Sequence, residues 1–323
     1  MTEPAATDAP RPAAGAPRLD LEELLQQVRA ELARRDEEPT GAWVEESAAD
    51  LASGAKPGFF LPGPAGGLAF YARRGPAAFG HLHTDAGLET ARRLARALLE
   101  SLPAEVRSLD LGFTGLPIED ERALVADLAR RPGSTVIERQ AMERPLSSAD
   151  GRLPPEPPAG IDRVPLSAVT VDALAELDVA AFRGSVDELL LGSEPGASRR
   201  SLEALLDGRL GPFVGEASAA LLESEPLRLV GAVLSAERSA HRAIVLALMV
   251  DPERRRKGLG RFLLGWTVRA LWALGYESVR LWVSVRNVVA VELYRSFGFR
   301  TTLEATIYRW DRPASAAQPQ ASR

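Results

Sequence analysis

Between residues 19 and 35 (LDLEELLQQVRAELARR) the apolar positions Leu21, Leu24, Leu25, Val28 and Leu32 fall on one face of a helix. Such a stripe serves a helix that packs on its own body or one that meets a partner. From 67 to 146 two periods alternate. GLAFYAR, AAFGHLH, VRSLDLGF and STVIERQAM read as strands, and LETARRLARALLESL (Leu88–Leu102) and EDERALVADLARR (Glu119–Arg131) as helices. Residues 147–160 (SSADGRLPPEPPAG) have no apolar period and are rich in Ser, Pro and Gly, as a linker is. The pattern resumes at Ile161 with a strand (DRVPLSA) and a helix (TVDALAELDVAAF) that Thr170 is placed to cap. SVDELLLG and SRRSLEALLDG predict short helices, and FVGEASAALLES and RLVGAVLSAE flank EPL like a hairpin. A strand at Ala243–Val250, a helix to Leu274, the strand SVRLWVSV, a helix from Val288 to Ser296 and the strand TTLEATIYRW complete the chain.

Sliding the first half by 165 residues sets Leu128 on Leu293, Gly133 on Gly298 and Arg144 on Arg309. Each half then ends strand, helix, strand, helix, strand. The reading is two copies of one α/β fold, with domains at 18–146 and 161–312, a linker at 147–160, and disordered tails at 1–17 and 313–323.

Composition narrows the function. Hydrophobic residues at 46% and charged residues at 26% support folded cores, and a net charge of −5 argues against nucleic-acid binding. No run of 18 apolar residues exists, so no membrane span is expected and a cytoplasmic protein follows by default. The chain has no cysteine, which excludes disulfides, thiolate metal sites and cysteine nucleophiles. His81 and His83 share a strand face, yet two histidines with no third ligand make a poor metal site, and no metal is expected.

One stretch stands apart. VDPERRRKGLGRFLL (250–264) puts Arg254, Arg255, Arg256 and Lys257 with Gly258 and Gly260 between an apolar strand and an amphipathic helix. Either it is a solvated basic turn, or its backbone N–H groups converge on an anion at the helix N-terminus. The spacing is neither G-x-x-x-x-G-K-[ST] nor G-x-G-x-x-G. About 30 residues past the loop comes RNVVAVELYRSFGF. The corresponding stretch of the first half, HLHTDAGLETARRL, is shorter and acidic, so only the second half carries the motif.

LMVDPERRRKGLGRFLL and LWVSVRNVVAVELYRSFGF together resemble the GNAT superfamily of acyl-CoA-dependent N-acyltransferases. The first is similar to its [Q/R]-x-x-G-x-[G/A] pyrophosphate loop. The second is similar to its Asn-x-x-Ala-x-x-Leu-Tyr-x-x-x-Gly-Phe element, here Asn287, Ala290, Leu293, Tyr294, Gly298 and Phe299. The first half resembles a degenerate copy, which makes the whole a tandem GNAT protein. The resemblance implies an α/β (α+β) fold of two GNAT-like domains, each a mixed, mostly antiparallel sheet flanked by helices. It also implies acetyl-CoA as co-substrate. Arg255, Arg256, Lys257, Gly258, Leu259 and Gly260 would bind its pyrophosphate, and Leu248, Met249 and Val250 its pantetheine arm, admitted by a splay or bulge between the strands at 243–250 and 281–285. A main-chain N–H near Leu248–Val250 would stabilise the oxyanion. Asn287 would contact pantetheine, and Tyr294 would protonate the departing thiolate.

Direct attack of an amine on a thioester needs a lost amine proton, a held oxyanion and a proton for sulfur, and no covalent nucleophile. A core aromatic is the bland reading of Tyr294 and a helix N-cap that of Asn287. For the base, His241, Glu216 and Glu237 are candidates, with water as the alternative. Asp187 and Glu188 could hold the ammonium of an acceptor, or be surface acids. The expected activity is acetyl transfer to a primary amine of a small molecule or peptide, by a monomer or homodimer. A non-catalytic acyl-CoA-binding or scaffolding module is the alternative, and a mycothiol-synthase-like enzyme the narrower variant.

Overall fold

The computed structural model describes residues 9–34, 43–62, 66–151, 156–185, 187–188, 195–209, 211–225 and 227–313. In chain order the elements are β1 (Arg11–Pro12), α1 (Arg18–Arg34), α2 (Trp43–Ser53), β2 (Gly58–Leu61), β3 (Gly67–Arg74), β4 (Ala77–His83), α3 (Leu88–Glu100), β5 (Ser108–Thr114), α4 (Ile118–Leu128) and β6 (Ser134–Pro145). They continue as β7 (Ile161–Val164), α5 (Val171–Phe182), α6 (Pro195–Leu206), β8 (Ala219–Ser224), β9 (Leu227–Ser239), β10 (Arg242–Val250), α7 (Leu259–Ala273), β11 (Ser278–Ser284), α8 (Val288–Ser296) and β12 (Arg300–Asp311). Two compact units result: Met1–Ile137 with Thr306–Arg323, and Glu138–Ala305.

The two final strands are exchanged. β6 leaves the first unit after Ile137 and pairs in the second, antiparallel to β11, from Arg139↔Ser284 to Pro145↔Ser278. β12 leaves the second unit after Ala305 and pairs in the first, antiparallel to β5, from Tyr308↔Leu111 to Asp311↔Ser108. Boundaries drawn at 146 and 161 from composition do not contain this exchange, because β6 and β12 hold matching places in the repeat and carry the same local pattern. Within the stretch at 147–160, the first residues, 147–151, are also less free than their composition suggests. Residues Ser148–Gly151 form a 3-10 turn, Asp150 pairs with Arg144 at 2.7 Å, and a Cβ on Gly151 would fall 2.2 Å from the Trp272 ring.

In the first unit the order β1-β2-β3-β4-β5-β12 contains one parallel pair, β4 with β5. Leu94, Leu98 and Leu99 of α3 pack on Leu82, Leu109, Leu111 and Tyr308. The apolar stripe of α1 is spent inside this unit: Leu21 and Leu25 pack with Val44, Ala48 and Leu51 of α2 and Phe60 of β2. The tail expected at 1–17 needs correction, since Arg11–Pro12 pair with Phe59–Phe60, and Ala13 is fully buried with its N–H bonded to Gly58. Residues 1–8 lie outside the described residues, as do 314–323.

In the second unit the order is β12-β6-β11-β10-β9-β8-β7, mixed and mostly antiparallel, with β10 and β11 the parallel pair. Phe262, Leu263, Leu264, Val268 and Leu271 line one side of α7 and meet Leu221, Val233, Val279 and Leu281 of the sheet. On the other face Leu174 and Leu177 of α5 and Leu202 and Leu205 of α6 cover Ala220, Ala232, Leu234 and Met249. Thr170 caps α5 through a bond from the Ala173 N–H, as its position predicts. Of the short helix expected over SVDELLLG, most lies outside the described residues. Among the described residues no helix is long and apolar enough to cross a membrane.

Candidate active site

The parallel ladder between β10 and β11 is short. It runs from Arg242↔Ser278 to Val245↔Leu281 and stops, although β10 continues to Val250 and β11 to Ser284. At the same point β10 bulges against β9, where Val245 faces Ser235 and Ala247 faces Leu234, leaving Leu246 as the extra residue. Beyond the bulge, alternation decides which groups face the gap. The Asp251 N–H bonds to Val230 on β9 at 3.0 Å, so Met249 also points its N–H and C=O toward β9. Leu248 and Val250 therefore present theirs on the edge toward β11, where among the described residues no strand pairs with them.

β10 delivers the chain into the basic loop. Buried Asp251 anchors the turn: it accepts the Glu253 N–H at 2.9 Å and pairs with Arg228 at 2.6 Å. The four consecutive cations divide in two. Arg254 is held by Glu223 at 2.7 Å, and Arg255 donates to the Ala181 carbonyl at the end of α5. Arg256 and Lys257 are exposed. Arg256 has φ +64° and Gly258 φ +84°, both left-handed, with Gly258 as the N-cap of α7. Left-handed residues alternating with ordinary ones turn successive N–H groups into a concave nest. The first-turn N–H groups of α7, which no helix can satisfy internally, add to it. The two glycines differ in kind. Gly258 is required by its φ, whereas a Cβ on Gly260 would make ordinary contacts at 3.5 Å to Leu293 and 3.7 Å to Val250.

Past β11, Asn287 caps α8 by accepting the Ala290 N–H at 3.3 Å. Two turns on, Tyr294 is buried, its ring 6.0 Å from that of Phe299. Burial pushes the Tyr294 hydroxyl above the ordinary tyrosine range; the Asp187 carboxylate adds to the rise and Arg139 opposes it. The phenol is therefore fully protonated at neutral pH.

Asp187 is no surface acid. It is buried, one oxygen accepts the Ser284 hydroxyl, and the other accepts the Asn287 amide at 2.9 Å. Its role is thus corrected from an open acceptor for an ammonium to a strut between β11 and α8. Glu188 closes its own turn, accepting the Gly184 N–H at 2.6 Å. The three candidate bases are not brought to Tyr294. His241 sits in the β9–β10 turn with its carbonyl bonded to the Glu277 N–H, at the start of β11. Tyr294 and Asp187 belong to the Ser284 end, and Glu277 to Ser284 is roughly 23 Å of extended strand. Glu216, Glu237 and His241 instead line a separate cleft of about 510 Å³ with Tyr276, whose hydroxyl donates to Glu237 at 3.1 Å. Arg139 was not foreseen, because nothing in the strand pattern of the first half says that its last strand serves the second. Among the described residues no group of three or more His, Cys, Asp or Glu could hold a metal ion.

The sequence profile of the Acetyltransferase (GNAT) family matches residues 179–299, which span the splayed strands, the loop, α7 and α8. This part of the chain is a GNAT acetyltransferase domain. Enzymes of this family take acetyl-CoA as acyl donor, and residues 179–299 give this chain an acetyltransferase domain of that kind. The chain is 29% identical over 244 residues to a mycothiol acetyltransferase of Frankia casuarinae, covering 72% of this chain and 67% of that relative. Its fold is shared with a GCN5-related N-acetyltransferase from Sphaerobacter thermophilus, at TM-score 0.60 and 18% identity, covering 93% of this chain and 96% of that one. A tandem GNAT protein from the clavulanic acid biosynthesis pathway matches at TM-score 0.55 and 14% identity, over 95% and 99% of the two chains. The likeness of fold thus runs over the whole chain and not only its second half.

Proposed function

We propose that the second unit moves an acetyl group from acetyl-CoA to a primary amine of a small molecule or peptide by direct attack. The observation that carries this reading is the ladder that ends at Val245↔Leu281 beside a backbone nest at 256–260. An arm that carries two amides fits the exposed edge of Leu248 and Val250, and a diphosphate fits the nest. Acetyl-CoA supplies the acetyl group as a thioester. N–H groups from Arg256 to Gly260 hold its diphosphate, with Arg256 and Lys257 adding attraction. The Leu248 N–H, on the open edge, is the donor for the oxyanion. Asn287 holds the start of α8 beside the bound arm, and Tyr294 gives its hydroxyl proton to the departing thiolate. The amine loses its surplus proton to water, since His241, Glu216 and Glu237 stand at the far end of the strands.

The Frankia relative favours a narrower reading of the acceptor, an amine of the mycothiol type. Turnover of acetyl-CoA with a panel of amines that includes desacetyl-mycothiol tests both readings. Acetylation of that compound far above the other amines supports the narrower one. Binding of coenzyme A with no turnover on any amine would defeat both.

A further inference from the structure

Arg139 belongs by sequence to the first copy, yet β6 carries it into the second unit. It is the direct cross-strand partner of Ser284 in an antiparallel ladder, so the two side chains leave the same face of the sheet, about 5 Å apart at Cβ. Ser284 donates to Asp187, and Asn287 donates to the same carboxylate while capping the helix that bears Tyr294. The Arg139 Nε is buried and has no hydrogen-bond partner among the described residues. A guanidinium left partly unsatisfied costs free energy, and a hydrocarbon side chain would avoid that cost.

We propose that Arg139 is a positioning residue of acetyl transfer, the counter-charge to the phenolate that Tyr294 becomes when it protonates the coenzyme A thiolate. This rests on the reading of Tyr294 as proton donor. In that step the amine nitrogen bonds to the acetyl carbon, the C–S bond breaks, and its electron pair stays on sulfur. The Tyr294 proton passes to sulfur, solvent later reprotonates the phenolate, and the surplus amine proton leaves to water. A tyrosine of pKa about 10 is already a weaker acid than a thiol at about 8.5, so donation runs uphill. Burial and the Asp187 carboxylate steepen the climb, and Arg139 is the cation that opposes them. Coulomb attraction of this kind is strong in a site shielded from water.

The test is a double-mutant cycle of Arg139→Met with Tyr294→Phe in the full chain, with Arg139→Lys as the charge-keeping variant. Expected for Arg139→Met is a kcat lower by about 10- to 100-fold, with KM for acetyl-CoA and the calorimetric Kd for coenzyme A within about twofold. Arg139→Lys recovers most of the loss. In the Tyr294→Phe background, Arg139→Met costs less than about threefold, because its target is gone. Equal losses in both backgrounds, or a loss of coenzyme A affinity that matches the loss of kcat, would overturn the inference while leaving Tyr294 as donor. No effect of Tyr294→Phe on kcat would remove the donor reading and the inference with it. Thermal unfolding checks that the variants fold; if Arg139→Met does not, Arg139→Gln carries the same comparison.

Discussion

At the residue scale, Tyr294 carries the sharpest expectation. Tyr294→Phe keeps the ring packing on Phe299 and removes only the hydroxyl that would supply the proton, so kcat should fall about 10²- to 10³-fold with the calorimetric Kd for coenzyme A unchanged. Steady-state kinetics beside calorimetry separates this from a packing defect. Asp110 in the first unit gives a pH signature. It pairs with Arg309 at 3.1 Å, but burial outweighs the pair and pushes its carboxyl up to about 6 from 3.8. A carboxyl raised on folding binds its proton more tightly in the native state. Its favourable contribution is complete below 3.8 and is lost as pH rises to about 6. Asp110→Asn should therefore flatten the fall of unfolding free energy between pH 4 and 6.5, by roughly 2–3 kcal/mol at most. An unchanged slope in denaturant titrations across that range would show another group is responsible. Both residues are visible in the sequence, but only Tyr294 sits in a motif. Asp110 and Arg139 are unremarkable until the fold buries them.

At the element scale, the proposed donor site rests on the loop and on the early end of the β10–β11 ladder. Gly258→Ala places a Cβ at φ +84°, which costs about 1–2 kcal/mol and should raise the Kd for coenzyme A about 5- to 30-fold. Gly260→Ala, with ordinary contacts and helical geometry, should stay within about threefold in the same calorimetric titration. The first unit tests the strand argument. Its parallel pair is laddered to the last residue, from Ala77↔Ser108 to His83↔Thr114, where the second unit opens after four pairs. His81 and His83 both bond the Thr114 hydroxyl, at 2.7 and 3.0 Å. With no splay to admit an arm, one coenzyme A per chain is expected; a stoichiometry near two would show that the first unit binds as well. The elements themselves were largely legible: α8 matches the expected helix from Val288 to Ser296, and β10 and α7 agree within a residue or two. Helix α2 and strand β2 were not read, because residues 36–66 mix glycine and proline with short apolar runs that fix no period.

At the scale of the whole molecule, the exchange of β6 and β12 makes neither copy self-sufficient. A chain cut between 155 and 156 leaves β11 without its antiparallel neighbour in one half and β5 without its own in the other. An exposed strand edge invites aggregation. Residues 156–323 expressed alone should be aggregated or unfolded by size-exclusion chromatography, and co-expression with 1–155 should restore a soluble pair that binds coenzyme A. A stable, binding-competent half would show that β6 is dispensable. The sequence by itself determined the order of elements from β3 onward, the repeat, the nest-forming loop, the cap at Asn287 and the tyrosine two turns beyond it. Each of these depends on neighbours within a few residues, where period, backbone permissiveness and capping chemistry act. The tertiary structure alone decided which copy each last strand joins, that Asp187 is a buried strut, that His241 lies a strand's length from Tyr294, and that Arg139 stands opposite Ser284. Those outcomes depend on pairings between residues from tens to about two hundred positions apart, and no local period encodes the partner.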